Sequence, residues 1–245
     1  LLNIAHRGAS GEFPENTLRA FSAAIDAGAQ MCELDVQLTC DGAAVVIHDD
    51  SVDRTTDGRG AVASMSLEQI RRLDAGRRFG ARFAGERVPT LAEVIELTRG
   101  KCALNVELKG AAVEAEVCRL LQAYDVVGDT IVSSFDWNAL AAARKIDPAL
   151  PLGVLTDRRG DAMLQAAARL NAVSVHPRYD LVSAALVEKA HREGFKVLVW
   201  TIDNVARMRR MIRLGVDGIM TNYPARLAAL MAEEKAEPGC RRRWR

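Results

Sequence analysis

Two short stretches of this chain put acids where an apolar strand would otherwise run. In Glu33-Leu34-Asp35-Val36 and Val106-Glu107-Leu108-Lys109, charged residues alternate with apolar ones. Side chains two apart on a strand share a face at a separation of about 7 Å, so Glu33 points with Asp35 and Glu107 with Lys109. Charges inside apolar strands are costly unless they are paired or bind a metal. Three converging carboxylates make a hard oxygen site suited to Mg²⁺ or Ca²⁺, whereas zinc would call for His or Cys. Interior salt bridges with Lys109 and Arg7 are the alternative, but pairing alone would satisfy two acids, not three.

The four histidines divide by position. His6, in His6-Arg7-Gly8, and His48, in His48-Asp49-Asp50, each end a predicted strand, and two imidazoles flanking a metal site can act as base and acid near neutral pH. His176 also ends a strand and is read either as a substrate contact or as structural. His191, in the polar stretch Lys189 to Glu193, is expected at the surface. Arg7 offers a planar fork of donors for a phosphoryl oxygen, and Gly8 lets backbone approach closely. Arg, Lys and a divalent cation together neutralise charge developing on phosphorus, which favours a phosphate ester substrate. No glycine-rich loop of Walker or Rossmann type is present, so a nucleotide cofactor is not expected. Trp200 and Phe135 could stack on the non-reacting part of a substrate or pack in the core.

The elements that must hold these groups alternate regularly. Apolar runs near 2–6, 31–36, 102–108, 130–134, 151–155, 172–176, 196–200 and 217–221 read as strands. Segments of helical period at 17–28, 91–99, 111–124, 136–146, 161–170, 183–193, 204–214 and 224–232 lie between them. Asn16 is read as the cap before Thr17, Asp136 as a helix start, Gly194 and Gly215 as helix ends, and Pro224 as a first-turn residue. Eight such units fit a closed (β/α)8 TIM barrel, whose active sites lie at the C-terminal rim. A hairpin and small insertion, about 37–90, interrupts the alternation there. Taking Asp41-Gly42 as a two-residue turn, opposed positions sum to 83, and His48 faces Asp35. The Asp-, Arg- and Gly-rich stretch 49–90, with one helix candidate from Ser66 to Leu73, is too long for an ordinary connection and reads as functional or lid-like.

The 245 residues suit one such domain, expected over 1–232, followed by a disordered basic tail at 233–245. A net charge of +1 gives no electrostatic reason to expect nucleic acid or an anionic membrane, so the expected partner is a small molecule. That neutrality conceals two parts: without the four arginines at 241, 242, 243 and 245, +1 becomes −3. Cys32, Cys40, Cys102, Cys118 and Cys240 form no CxxC pair and are read as reduced thiols of a cytoplasmic protein. No apolar run approaches the ~20 residues of a membrane span, and no basic leader with a long apolar core opens the chain. It begins at Leu1 rather than Met, as a chain with a removed signal peptide would. Oligomeric state is left open.

In their order, His6-Arg7-Gly8, Pro14-Glu15-Asn16-Thr17, Glu33-Leu34-Asp35-Val36, Asp41-Gly42, Val46-Ile47-His48-Asp49, Val106-Glu107-Leu108-Lys109, Val199-Trp200-Thr201 and Asp217-Gly218-Ile219-Met220-Thr221-Asn222 closely resemble the glycerophosphodiester phosphodiesterase family. The compact chain resembles the bacterial cytosolic branch of that family, which belongs to the phospholipase-C-like phosphodiesterase superfamily. The resemblance implies a TIM-barrel hydrolase that cleaves glycerophosphodiesters to sn-glycerol 3-phosphate and an alcohol. It implies Glu33, Asp35 and Glu107 as ligands of one Mg²⁺ or Ca²⁺, His6 as base and His48 as acid, and Arg7, Lys109 and Trp200 as substrate contacts. The Asn222 position often carries an acid in relatives, and Glu15 is placed either beside the metal ligands or in the cap of the first helix. Attack by the glycerol 2-hydroxyl through a cyclic phosphate competes with direct attack by water. A lysophospholipase D or sphingomyelinase D-like enzyme would want an exposed apolar entry, which 49–60 does not offer. A non-catalytic glycerophosphodiester-binding barrel would be expected to have lost a histidine or a carboxylate. A Schiff-base barrel would depend on Lys109, which Glu107 tends to keep charged.

Overall fold

The computed structural model of the chain describes residues 1–236. Its parallel strands close on themselves. β1 (Leu2–His6) pairs with β2 (Met31–Leu38), which also carries the short antiparallel β3 (Ala44–Val46) outside the barrel. Parallel pairing continues through β4 (Ala103–Leu108), β5 (Thr130–Ser134), β6 (Leu152–Thr156), β7 (Ser174–Pro177), β8 (Lys196–Val199) and β9 (Gly218–Thr221), which returns to β1. α1 (Leu18–Asp26) follows β1, and α2 (Leu67–Arg71) and α3 (Leu91–Thr98) lie between β3 and β4. After each later strand comes one helix: α4 (Glu114–Ala123), α5 (Trp137–Ile146), α6 (Ala162–Arg169), α7 (Ala184–Arg192), α8 (Val205–Leu214) and α9 (Pro224–Ala236). The expected TIM barrel is the fold found.

Alternation along the strands sorts residues into two environments. Cys32, Leu34 and Val36 of β2 face outward into the core shared with Phe21, Leu91, Val94 and Ile95 of the helices. Their neighbours Met31, Glu33 and Asp35 therefore face the barrel axis. At the N-terminal end that axis is plugged by Ile4, Met31, Leu198 and Met220. Above the plug the interior turns polar, with Glu33, Asn105, Ser133, Ser174 and His176 all buried. His176 is wholly enclosed, its Nε2 2.8 Å from Ser174 Oγ, and burial pushes its imidazole down to about 3, so of its two readings the structural one holds. His191 is at the surface as expected, with Nε2 2.8 Å from Asp217 Oδ2.

The hairpin departs from the expected register. Val36 faces Val46 and Leu38 faces Ala44, so opposed positions sum to 82 rather than 83, and Asp35 sits opposite Ile47 instead of His48. A two-residue turn would need positive φ at both central residues; only Gly42 has it, at +80°, and Asp41 does not. The loop is accordingly the three residues Cys40, Asp41 and Gly42, closed by Thr39 N donating to Ala43 O at 3.0 Å. One residue of slip exchanges faces, and Ile47 takes the buried place. Ile47 joins Val45, Val52, Val62, Ile70, Ala75 and Val88 in a second small core, which is how the long insertion is held without a sheet of its own.

Two other boundaries differ. α9 runs to Ala236, four residues beyond the expected end of the domain, and Arg209 of α8 holds Glu233 and Glu234 at 2.8 Å each. The rest of the expected tail, with Cys240, lies outside the described residues. The cap of α1 is Thr17, whose Oγ1 accepts from Ala20 N at 3.2 Å, and not Asn16, which adopts φ +57° and turns inward. Thr17→Ala should therefore cost about 1 kcal/mol of stability in urea unfolding, the usual worth of an N-cap, with cation binding unchanged; a loss of cation binding as large as that of Asn16→Ala would refute the division of labour between the two.

Candidate active site

The in-register pairing of β2 and β4 sets Asp35 beside Glu107 and Glu33 beside Asn105. One oxygen each from Glu33, Asp35 and Glu107 lies within 4.8 Å of the others, and all three side chains are buried. Arg7 Nε approaches Asp35 Oδ2 at 3.2 Å, and Lys109 Nζ lies 2.6 Å from Glu107 Oε1 and 3.6 Å from Asp35 Oδ1. Three carboxylates thus face two cations. Burial, then repulsion from Asp35 and Glu107, holds the Glu33 carboxyl well above the ordinary range. Burial and Asp35 likewise raise Glu107 to about 7 in spite of Lys109. Among the described residues Asp35 Oδ1 is buried and has no hydrogen-bond donor, so it keeps lone pairs for a cation. These all-oxygen donors fit a hard divalent ion.

The end of β1 is folded tightly over this cluster. Arg7, at φ +57°, donates its backbone N–H toward both the Glu33 carbonyl and Glu33 Oε2, each at 2.9 Å. Gly8 follows at φ +80°, and a Cβ there would lie 2.6 Å from the Ala20 carbonyl carbon, so only glycine fits this approach of loop to helix. Asn16 Nδ2 donates to Asp35 Oδ2 at 2.9 Å, a supporting contact that the sequence reading assigned to a helix cap. His6 Nε2 stands 3.9 Å from Glu33 Oε2, with Nδ1 2.8 Å from Asn222 Oδ1. Burial and the adjacent Arg7 charge push the imidazole down to about 4, so it is neutral at pH 7.

His48 reaches the same rim by another route. Gln37 Nε2, on the inward face of β2, donates to the carbonyls of His48 at 3.1 Å and Asp49 at 2.6 Å, pinning the chain after β3. Among the described residues no ion pair joins His48 to the three carboxylates; its Nδ1 lies 2.6 Å from Asp49 Oδ1. Asp49 also accepts from Arg54 Nε at 2.6 Å, and Arg54 grips Glu15 through two bonds of 2.8 Å. Glu15 accepts in turn from Arg7 Nη1 at 2.9 Å, closing a chain from His48 to Arg7. Burial would raise the Glu15 carboxyl, yet Arg54 and Arg7 bring it down to about 2. Glu15 thus belongs beside the site, not in the cap. Asp49 was present in the His48-Asp49 motif without a role, and nothing in the sequence around Arg54 signalled it. Across the mouth, exposed Phe135 meets Trp200 edge to face at 5.4 Å, with Lys109 Nζ 5.8 Å from the Phe135 ring centre.

The model of the glycerophosphoryl diester phosphodiesterase family matches residues 6–226. The chain belongs to this family. A glycerophosphodiester phosphodiesterase of Caldanaerobacter subterraneus is 44% identical over 236 residues, 94% of this chain and 97% of the relative. Among solved structures, an Oleispira antarctica phosphodiesterase in complex with the product sn-glycerol-3-phosphate superposes with a TM-score of 0.89 at 31% identity, covering 94% of this chain and 96% of that one. A glycerophosphodiester phosphodiesterase from Agrobacterium tumefaciens gives 0.84 at 32%, covering 92% and 98%. In this family member, as in the sequence reading, Glu33, Asp35 and Glu107 are the residues that could hold a metal.

Stability should report that site directly. Glu107 is raised from an ordinary 4.5 to about 7, so between those values the folded cation-free protein keeps a proton that the unfolded chain has released. More protons bound in the folded state means stability that falls as pH rises through this window. Mg²⁺ or Ca²⁺, which binds the deprotonated carboxylates, should offset the loss. Melting curves in EDTA and in excess cation should diverge from about pH 5 to about pH 7.5, with the larger Tm gain at the higher pH; a cation-induced gain independent of pH would remove these carboxylates as ligands.

Proposed function

We propose that this family member is a metal-dependent hydrolase of soluble glycerophosphodiesters, such as glycerophosphocholine or glycerophosphoethanolamine, releasing sn-glycerol 3-phosphate and an alcohol. The observation that carries the reading is the convergence of Glu33, Asp35 and Glu107 within 4.8 Å, beside Arg7, Lys109 and His6. The product bound to the Oleispira neighbour supports a substrate with a glycerol phosphate moiety. A single Mg²⁺ or Ca²⁺ held by the three carboxylates would neutralise their excess charge and polarise the phosphoryl group.

This chain's residues then divide the work. Arg7 and Lys109 hold the phosphate oxygens, and Trp200 with Phe135 forms an apolar wall for the carbon skeleton. His6, neutral at pH 7, takes the proton of the glycerol 2-hydroxyl as its oxygen forms the new bond to phosphorus. His48 gives a proton to the alcohol oxygen as the old P–O bond breaks; its side chain is 32% exposed, at the open rim where the alcohol leaves. Water opens the resulting cyclic phosphate with the two histidines reversed. Large exposed apolar side chains near the mouth are few, Phe135 and, on the insertion, Phe79, which favours soluble substrates over acylated ones. Among the described residues no helix is long and apolar enough to cross a membrane.

An enzyme-linked assay of glycerol 3-phosphate release from glycerophosphocholine and glycerophosphoethanolamine checks the whole reading. EDTA should abolish release and added Mg²⁺ or Ca²⁺ restore it. His6→Ala and His48→Ala should each lose at least ~10²-fold in kcat, the usual worth of a general acid–base group. Activity undiminished in EDTA would remove the metal, and activity undiminished in either variant would remove that histidine. Under single turnover a 1,2-cyclic glycerophosphate should accumulate and the authentic cyclic compound should be turned over; failure of both would leave direct attack by water.

A further inference from the structure

The hydrogen bonds around Asn222 permit one arrangement of donors and acceptors. Asp203, in the loop after β8, accepts from Asn222 Nδ2 at 2.7 Å, from Asn222 N at 2.9 Å and from Thr221 Oγ1 at 3.0 Å. Its backbone carbonyl is held in turn by Arg226 Nη1 at 2.6 Å, which anchors the loop to α9. An ionised carboxylate only accepts, so the NH₂ of Asn222 must face Asp203 and its carbonyl oxygen must face away. The opposite flip would press the amide oxygen against a carboxylate at 2.7 Å. The outward oxygen lies 2.8 Å from His6 Nδ1 and 2.8 Å from Ser10 Oγ. Ser10 also lies 2.6 Å from the His6 carbonyl and, with one hydrogen, serves one of these acceptors at a time.

The geometry points to Asp203 and Asn222 as positioning residues that fix the tautomer of His6, keeping its proton on Nδ1 and its lone pair on Nε2. Because Asn222 Oδ1 can only accept, His6 Nδ1 must donate. Nε2 is then the nitrogen free to take a proton, and it is the one that faces the carboxylate cluster, 3.9 Å from Glu33. The other tautomer would present an N–H there and could not act as a base. The catalytic consequence rests on the reading of His6 as general base; the tautomer itself does not. The arrangement is made by residues at the ends of β1 and β9 and in the loop after β8, outside the set of carboxylates, cations and second histidine already described.

Imidazole-¹⁵N-labelled protein gives the test, by long-range ¹H–¹⁵N correlation at neutral pH, in EDTA and again with excess Mg²⁺. Four histidines keep the spectrum simple, and the His6 signals are those that vanish in His6→Gln. In the unaltered protein His6 should show a protonated Nδ1 and an unprotonated Nε2; protonation on Nε2 overturns the proposal whatever the activity. Asp203→Asn is nearly isosteric but makes the amide pair free to flip, so the Nε2–H form should enter the population. The same variant should lose at least about tenfold in kcat with KM unchanged, as expected when a base spends time in the wrong tautomer. An unchanged His6 tautomer in Asp203→Asn would remove Asp203 from the relay. Absence of glycerophosphodiester turnover in the unaltered protein would count against the proposed function alone, since the spectrum decides the tautomer without it.

Discussion

Glu33, Asp35 and Glu107 crowd more negative charge into one buried volume than Arg7 and Lys109 can balance, and much of the molecule is arranged around that imbalance. Burial, and then repulsion between like charges in a medium of low dielectric, holds the Glu33 and Glu107 carboxyls protonated above the ordinary range when no cation joins them. The apolar plug of Ile4, Met31, Leu198 and Met220 closes the barrel below and keeps the cluster from draining to water on that side. Parallel register does the crowding. Asp35 and Glu107 are direct neighbours across one pair of strands, and Glu33 is one step below on the same face.

Backbone strain is found at the same place, in two of the five non-glycine residues with positive φ among the described residues. Arg7 and Asn16 both sit at φ +57°, a conformation that costs a non-glycine residue roughly 1–2 kcal/mol. Each is held there by bonds made to the site. Arg7 N–H donates to Glu33, and Asn16 donates from its side chain to Asp35 and from its backbone N–H to the Arg7 carbonyl at 3.0 Å. The loop after β1 is thus wrapped around the carboxylates. Gly8 lets it press on α1 without a side chain in the way.

The two histidines are held by different means. His6 is set deep, between Asn222 on one side and Glu33 on the other. His48 stands at the rim on a segment that has left the sheet, tied through Asp49 and Arg54 to Glu15 and hence to Arg7. The insertion earns its length here: it has its own small core, and from that base it carries Arg54 to Asp49 and Glu15. One ring is therefore fixed by the barrel and the other by an appendage to it.

Strand and helix order, the closed barrel, the three carboxylates and the pairing of His6 with Arg7 were legible in the linear chain, because period-two alternation and runs of apolar residues are local properties. Acids within such strands announce themselves, since burial without a partner would be too costly. What the chain alone could not decide depended on one turn or on distant partners. The extra residue in the Cys40-Asp41-Gly42 loop moved Ile47, not His48, opposite Asp35, because Asp41 did not adopt the positive φ that a two-residue turn requires. Asn16 looked like a cap until tertiary folding brought Asp35 within 2.9 Å of its amide. Arg54 and Asp203 carry no local signature at all, and Asn222, although it closes the Asp217–Asn222 motif, shows nothing there of the partners it takes. Their places follow from contacts across tens to hundreds of residues, and only the closed barrel brings those residues together.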